Sequence, residues 1–189
     1  MGRGTRTKQA GPLEPGAVGP GEGGTHLGAT PAVKPHDLSL LEALYRERYE
    51  PSVRLAHLLV GDRHRAEELT QDAFIRLLPK LSSTDNPAGY LRVVLVNLCR
   101  DHGRRQSMAG RHPQEPQPSA PPPGIPETSS AVWIALQQLP ERQREALSLR
   151  FYADVPTDEI AQILGVRPAT VRSLIHRGLA ALKEVVPHD

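Results

Sequence analysis

Cysteine is nearly missing from this chain. Cys99 stands alone, which excludes an internal disulfide and a cysteine-based zinc site, and its apolar neighbours mark it as a buried thiol without chemistry. Aromatic residues make up only 4% of the sequence, so little surface is available for stacking single-stranded bases. No apolar run approaches the roughly 20 residues that span a bilayer, and the glycine-rich start lacks the apolar core of a signal peptide. The expectation is a cytoplasmic protein with no membrane contact of its own. An excess of one charge is also lacking. The net charge is +2, and cations and anions nearly balance within each helical stretch, so binding to nucleic acid would be local and weak without a helper. There is no HExxH, no phosphate loop and no nucleophile beside a base, so no enzyme, catalytic residue, cofactor or metal is expected. Gly19, Gly21 and Gly24 match GxGxxG, but neither strand nor helix flanks them.

What is present is helical periodicity, interrupted twice. Residues 1–36 are rich in Gly, Pro, Ala and Thr, with too few large apolar groups to offset ordering entropy, and read as a disordered arm. Residues 107–129 hold PQEPQPSAPPPGIP, which forbids helix and favours a flexible, extended linker. The fold class that follows is all-α: two small helical domains, residues 37–106 and 130–189, joined by that Pro-rich linker.

In the first domain Ser39 and Glu42 form a capping-box pair, and an apolar stripe from Leu41 to Leu59 runs through Pro51, where a kink or break is expected. Gly61 and Asp62 then end one helix and cap the next. That second helix buries Ala66, Leu69, Ala73, Phe74 and Leu77 and turns Glu67, Glu68, Gln71, Asp72 and Arg76 outward. Asn86 and Pro87 open a third helix with an apolar middle and with Arg100, Arg104 and Arg105 near its C-terminal end, where the helix dipole favours cations.

In the second domain Trp133, Leu136, Leu139, Leu147, Leu149 and Phe151 are the expected core. The stretch TDEIAQILGVRPATVRSLIHRGLAALKEVV reads as a helix-turn-helix. Thr157 is the expected cap, Gly165 the left-handed stop and Pro168 a first-turn residue, while Val171, Leu174, Ile175, Leu179 and Leu182 form the buried stripe. The opposite face carries Thr170, Arg172, Ser173, His176 and Arg177, donors suited to phosphates and base edges in a major groove.

In this order the pieces resemble a bacterial RNA polymerase sigma factor of the extracytoplasmic-function group, over residues 38–186. GDRHRAEELTQDAFIRL resembles the helix that docks on the polymerase clamp, and NPAGYLRVVLVNLCRDHGRR resembles the promoter-melting helix. LPERQREALSLRFYADVPTDEIAQILGVRPATVRSLIHRGLAAL resembles the module that reads the minus-thirty-five element. The wording GDRHRAEELTQ with YLRVVLVN is most similar to actinobacterial members. The resemblance implies a factor that binds core RNA polymerase, through the clamp of its largest subunit, and directs transcription initiation at promoter DNA, with an anti-sigma factor as a further partner. It implies polymerase contact at Glu68, Gln71 and Asp72. Minus-ten DNA would meet Asn97, with Arg100, Arg104 and Arg105 alongside, and minus-thirty-five DNA would meet Arg150, Arg167, Thr170, Arg172, Ser173, His176 and Arg177. Val96 and Leu174 stand where many members carry Arg, and Leu78 where many carry an aromatic, so contacts to separated strands are thinner than usual. The alternative is a two-domain helix-turn-helix regulator that does not bind polymerase.

Overall fold

A computed structural model of the chain describes residues 35–108 and 130–185. Residues 1–34 of the expected arm and 109–129 of the expected linker lie outside the described residues, whereas Pro35 and His36, expected in the arm, and Ser107 and Met108, expected in the linker, are helical. All the regular elements described are helical, and no described helix is long and apolar enough to cross a membrane.

The first helix, α1 (Pro35–Val60), differs from expectation in two ways. It begins at Pro35, four residues before Ser39, so Ser39 and Glu42 lie inside it and are no capping box. It also continues past Pro51. Proline removes one backbone donor and crowds the preceding turn, but Val53, Leu55, Ala56, Leu58 and Leu59 beyond it are all buried against neighbouring helices. Tertiary burial supplies most helical stability, and here it outweighs the local break. Gly61 ends α1 at φ +79°.

Asp62 caps α2 (Arg63–Leu77) as expected, its carboxylate accepting from the Arg65 amide at 2.6 Å. The buried stripe is Ala66, Leu69, Ala73, Phe74 and Leu77, together with Thr70, whose hydroxyl donates to the Ala66 carbonyl at 2.8 Å. A 3₁₀ turn (Leu78–Ser83) leads to Asn86, whose side-chain oxygen accepts from the Gly89 amide at 2.8 Å and caps α3 (Pro87–Met108).

After residue 129 come α4 (Ser130–Gln138), α5 (Glu141–Leu147), a π-helical turn (Ser148–Tyr152), α6 (Thr157–Leu164) and α7 (Pro168–Val185). Pro156 rather than Thr157 holds the N-cap position of α6, and no side chain caps that end. Gly165 adopts φ +65° as expected, and the Val166 amide closes the turn on the Ala161 carbonyl at 2.9 Å. Nothing lies within 4 Å of a Cβ built at Gly165, so backbone conformation alone calls for glycine there. Phe151 is 63% exposed instead of buried, because the π turn carries it off the face that buries Leu149. Leu179 is likewise at the surface.

The helices on either side of residues 109–129 pack on one another. Leu58 of α1 shares a cluster with Trp133, Leu136, Leu139 and Leu147, and Trp133 meets the His57 ring edge-on at 4.8 Å. Gln137 donates to the Leu58 carbonyl at 3.0 Å. The α3 helix faces α6 through the ion pair Arg92–Glu159 and α5 through Arg100–Glu145.

Candidate nucleic-acid interface

Three surfaces carry the residues singled out from the sequence. The first is the outer face of α7. Burial of Val171 and Leu174 fixes its rotation, which leaves Arg167, Thr170, Arg172, Ser173, His176 and Arg177 exposed. Arg172, Ser173, His176 and Arg177 line one shallow depression. Ser173 donates to the Ala169 carbonyl at 3.0 Å, and Arg177 Nε donates to the Ser173 carbonyl at 3.3 Å, so both side chains lie along the helix with groups to spare. Among the described residues, Arg167, Arg172 and Arg177 form no ion pair. Their charge is unneutralised and meets solvent at the mouth of a helix-turn-helix, which is the arrangement that exchanges counterions for phosphate. Arg150 stands apart on the π turn, 3.6 Å from Asp154, whose side chain is almost wholly solvated; such a pair is easily displaced. Leu174 occupies a core position, which accounts for the absence of an arginine there.

The second surface is α2. Gln71 and Asp72 are exposed, and Asp72 forms no ion pair among the described residues. Glu68 lies on the same side but is half-buried and engaged by Arg65 and, at 3.2 Å, by His64. One turn beyond Gln71 and Asp72, Ile75 is 62% exposed. Sequence reasoning placed Ile75 on neither face; the signal available was an apolar residue off the stripe, three and four residues from two polar ones.

The third surface is α3. Arg100, expected at the minus-ten DNA, is buried. Its Nε and Nη2 donate to the two carboxylate oxygens of Glu145 at 3.0 and 3.1 Å, and its Nη1 donates to Asn97 Oδ1 at 3.2 Å. A carboxylate from another helix reaches this point and gives the guanidinium two parallel charge-assisted hydrogen bonds. Asn97 is exposed and thereby tied to the same pair. Arg104 and Arg105 remain at the surface; Arg104 lies 3.8 Å from Asp101, and Arg105 Nε donates to the Asp101 carbonyl at 3.3 Å. Val96 is fully buried, so an arginine at this position would be a charge in the core. Glu145 itself was not foreseen, because its sequence context is that of any exposed helix residue.

Burial raises the Cys99 thiol to about 12, which keeps it protonated and unreactive. No group of three or more His, Cys, Asp or Glu suited to a metal occurs among the described residues.

Two family models match the chain: Sigma-70 region 2 over residues 44–108 and Sigma-70, region 4, over residues 130–182. The ECF RNA polymerase sigma factor SigE of Mycolicibacterium smegmatis is 31% identical over 154 residues, covering 76% of this chain and 60% of the relative. The RNA polymerase sigma-E factor of Streptomyces coelicolor is 30% identical, covering 76% of this chain and 84% of the relative. The ECF RNA polymerase sigma factor ShbA of Streptomyces griseus is 33% identical, covering 66% and 74%. The chain thus spans less than two thirds of the mycobacterial SigE and a larger share of the two streptomycete proteins. Among solved structures, the sigma factor RpoE of Bartonella quintana, crystallised with the anti-sigma factor NepR, shares the fold with a TM-score of 0.62 at 22% identity, covering 76% of this chain and 96% of that one.

Proposed function

Because the chain belongs to the ECF RNA polymerase sigma factors, we propose that it joins core RNA polymerase and directs it to promoters. The observation that carries this reading is the α7 face, where Arg167, Arg172 and Arg177 carry unpaired positive charge beside the hydrogen-bonding groups of Thr170, Ser173 and His176. In the major groove of a minus-thirty-five element, such a helix positions itself on phosphates and reads base edges with its guanidinium forks. Few cations take part and the net charge is only +2, so the intrinsic affinity is low. Polymerase raises it by tethering: once α2 docks, binding of α7 becomes an intramolecular step at high effective concentration.

In this reading Gln71, Asp72 and Glu68 meet the clamp of the largest polymerase subunit, and Asn97, Arg104 and Arg105 belong to the minus-ten side. Arg100 joins them after release from Glu145. The two helical domains and a spacer at residues 107–129 are part of the same proposal. The factor contributes specificity rather than catalysis and works in the cytoplasm with the enzyme it serves. An anti-sigma protein that covers the polymerase and promoter faces is its expected inhibitor.

The test is in vitro transcription with core polymerase on genomic DNA, where defined start sites that depend on this chain are the expected outcome. By circular dichroism and pull-down, a Glu68→Lys, Asp72→Lys double variant should keep its helical content but fail to co-purify with core polymerase, since a like charge against a basic partner surface costs several kcal/mol. Promoter binding without polymerase-dependent retention of the wild type would instead identify a regulator that acts alone.

A further inference from the structure

The two helices expected to meet DNA differ in one respect that matters for regulation: α3 already has an anionic partner. Glu145 of α5 is 2% exposed and Arg100 is 8% exposed. Two parallel hydrogen bonds join them at 3.0 and 3.1 Å, and Arg142 Nη1 approaches the same carboxylate at 3.4 Å while donating to the Leu164 carbonyl at 3.1 Å. Arg100 therefore presents to Glu145 the planar fork it would present to a phosphate. The neighbouring pair Arg92–Glu159 repeats the pattern, again with the guanidinium on α3 and the carboxylate on the helix-turn-helix half.

We propose that Glu145 is a gate on promoter binding: its carboxylate occupies the place of a DNA phosphate at Arg100, holds α5 on α3 in the free chain, and must leave before a promoter strand can engage Asn97 and Arg100. This rests on the reading of α3 as the helix that meets the minus-ten element. A geometric requirement points the same way. Elements about 25 base pairs apart are separated by roughly 85 Å of duplex at ~3.4 Å per base pair. An α3 held to α5 by Arg100–Glu145 and to α6 by Arg92–Glu159 cannot serve one element while α7 serves the other. Glu145 is thus a positioning residue that acts through Arg100 and competes with DNA for one guanidinium.

The test uses the full chain and a fluorescein-labelled single strand carrying the minus-ten region of a promoter mapped with the wild-type holoenzyme. Glu145→Gln keeps the shape of the side chain and removes its charge. It should bind the strand at least about fivefold more tightly than wild type, and adding Arg100→Ala should abolish the gain. Small-angle scattering should show a larger radius of gyration for Glu145→Gln without DNA, and for the wild type when the strand is bound. If Glu145→Gln retained wild-type helical content but bound no more tightly, the gate would be refuted. Should that variant unfold, the wild-type measurement decides, because strand binding without expansion would equally refute the gate. Start sites from wild-type holoenzyme test the sigma-factor reading separately: their absence would remove that reading, whereas their presence with an unexpanded complex would remove only the gate.

Discussion

Helices α3 and α7 both carry arginines expected to meet DNA, and they place them in opposite states. The guanidiniums of Arg167, just before α7, and of Arg172 and Arg177 on it are exposed and form no ion pair among the described residues. On α3 the guanidinium of Arg100 is buried against Glu145, and that of Arg92 is held by Glu159. The chemistry of the side chain is the same in each case; the availability of its charge is set by what the rest of the chain puts beside it. The α7 guanidiniums are open to solvent, whereas that of Arg100 is already engaged by a carboxylate.

The sharpest way to break this contrast is to truncate one arginine from each set. Arg100→Ala leaves Glu145 buried with only the more distant Arg142, and removal of one partner from a buried pair costs about 3 to 5 kcal/mol, readable in urea or thermal unfolding. The paired replacement Arg100→Met, Glu145→Leu should recover most of that loss, because no uncompensated charge remains. Arg172→Ala should change stability by no more than about 0.5 kcal/mol, yet weaken binding to the upstream promoter element. The expected loss is about 1 to 3 kcal/mol if the contact reads a base, or a fall of roughly 1 in the salt slope if it meets only a phosphate; fluorescence anisotropy across a salt series separates the two. Unchanged binding at every salt concentration would remove α7 from the interface.

Smaller effects sharpen the comparison at the level of the scaffold. Gly165→Ala should cost about 1 kcal/mol, since the left-handed conformation penalises a Cβ even where space is open, and should loosen the turn that aims α7 while leaving α3 unaffected. Thermal unfolding reads the first effect and promoter binding the second. The smallest expected effect is a pH dependence. Burial lowers the pKa of His57 below its usual 6.5, with Arg63 adding to the shift and Asp62 and Glu67 opposing it. The unfolded chain then binds more protons than the folded one, so the stability due to neutral His57 is complete above pH 6.5 and is lost as pH falls below it. His102, lowered by burial and by Arg65 and Arg105, contributes with the same sign. Emission from Trp133, which packs on His57, should report the change at that contact, and His57→Phe should flatten the part of the profile that Trp133 sees.

Elements governed by nearest neighbours could be read before any coordinates. Asp62 and Asn86 act as caps, Gly165 turns the chain and Pro168 opens α7, because each of these roles depends on a backbone conformation or a hydrogen bond within a few residues. The rotation of α7 was equally legible, since its apolar stripe leaves only one face for Arg172, Ser173, His176 and Arg177. Local rules misled where a distant surface intervened. Pro51 did not break α1, because the residues beyond it are buried against other helices. Ser39 was no cap, because the helix had already begun, and Phe151 was no core residue, because a π turn displaced it.

By itself, then, the sequence determined the helices, their polar and apolar faces and the chemical character of the helix-turn-helix, all of which follow from periodicities and conformational preferences carried within a few turns. Only the tertiary structure decided that Arg100 is held by a carboxylate 45 residues away while Arg172 has none. An electrostatic partner is a matter of distance in space and of exclusion from water, and neither quantity is encoded at the position of the arginine.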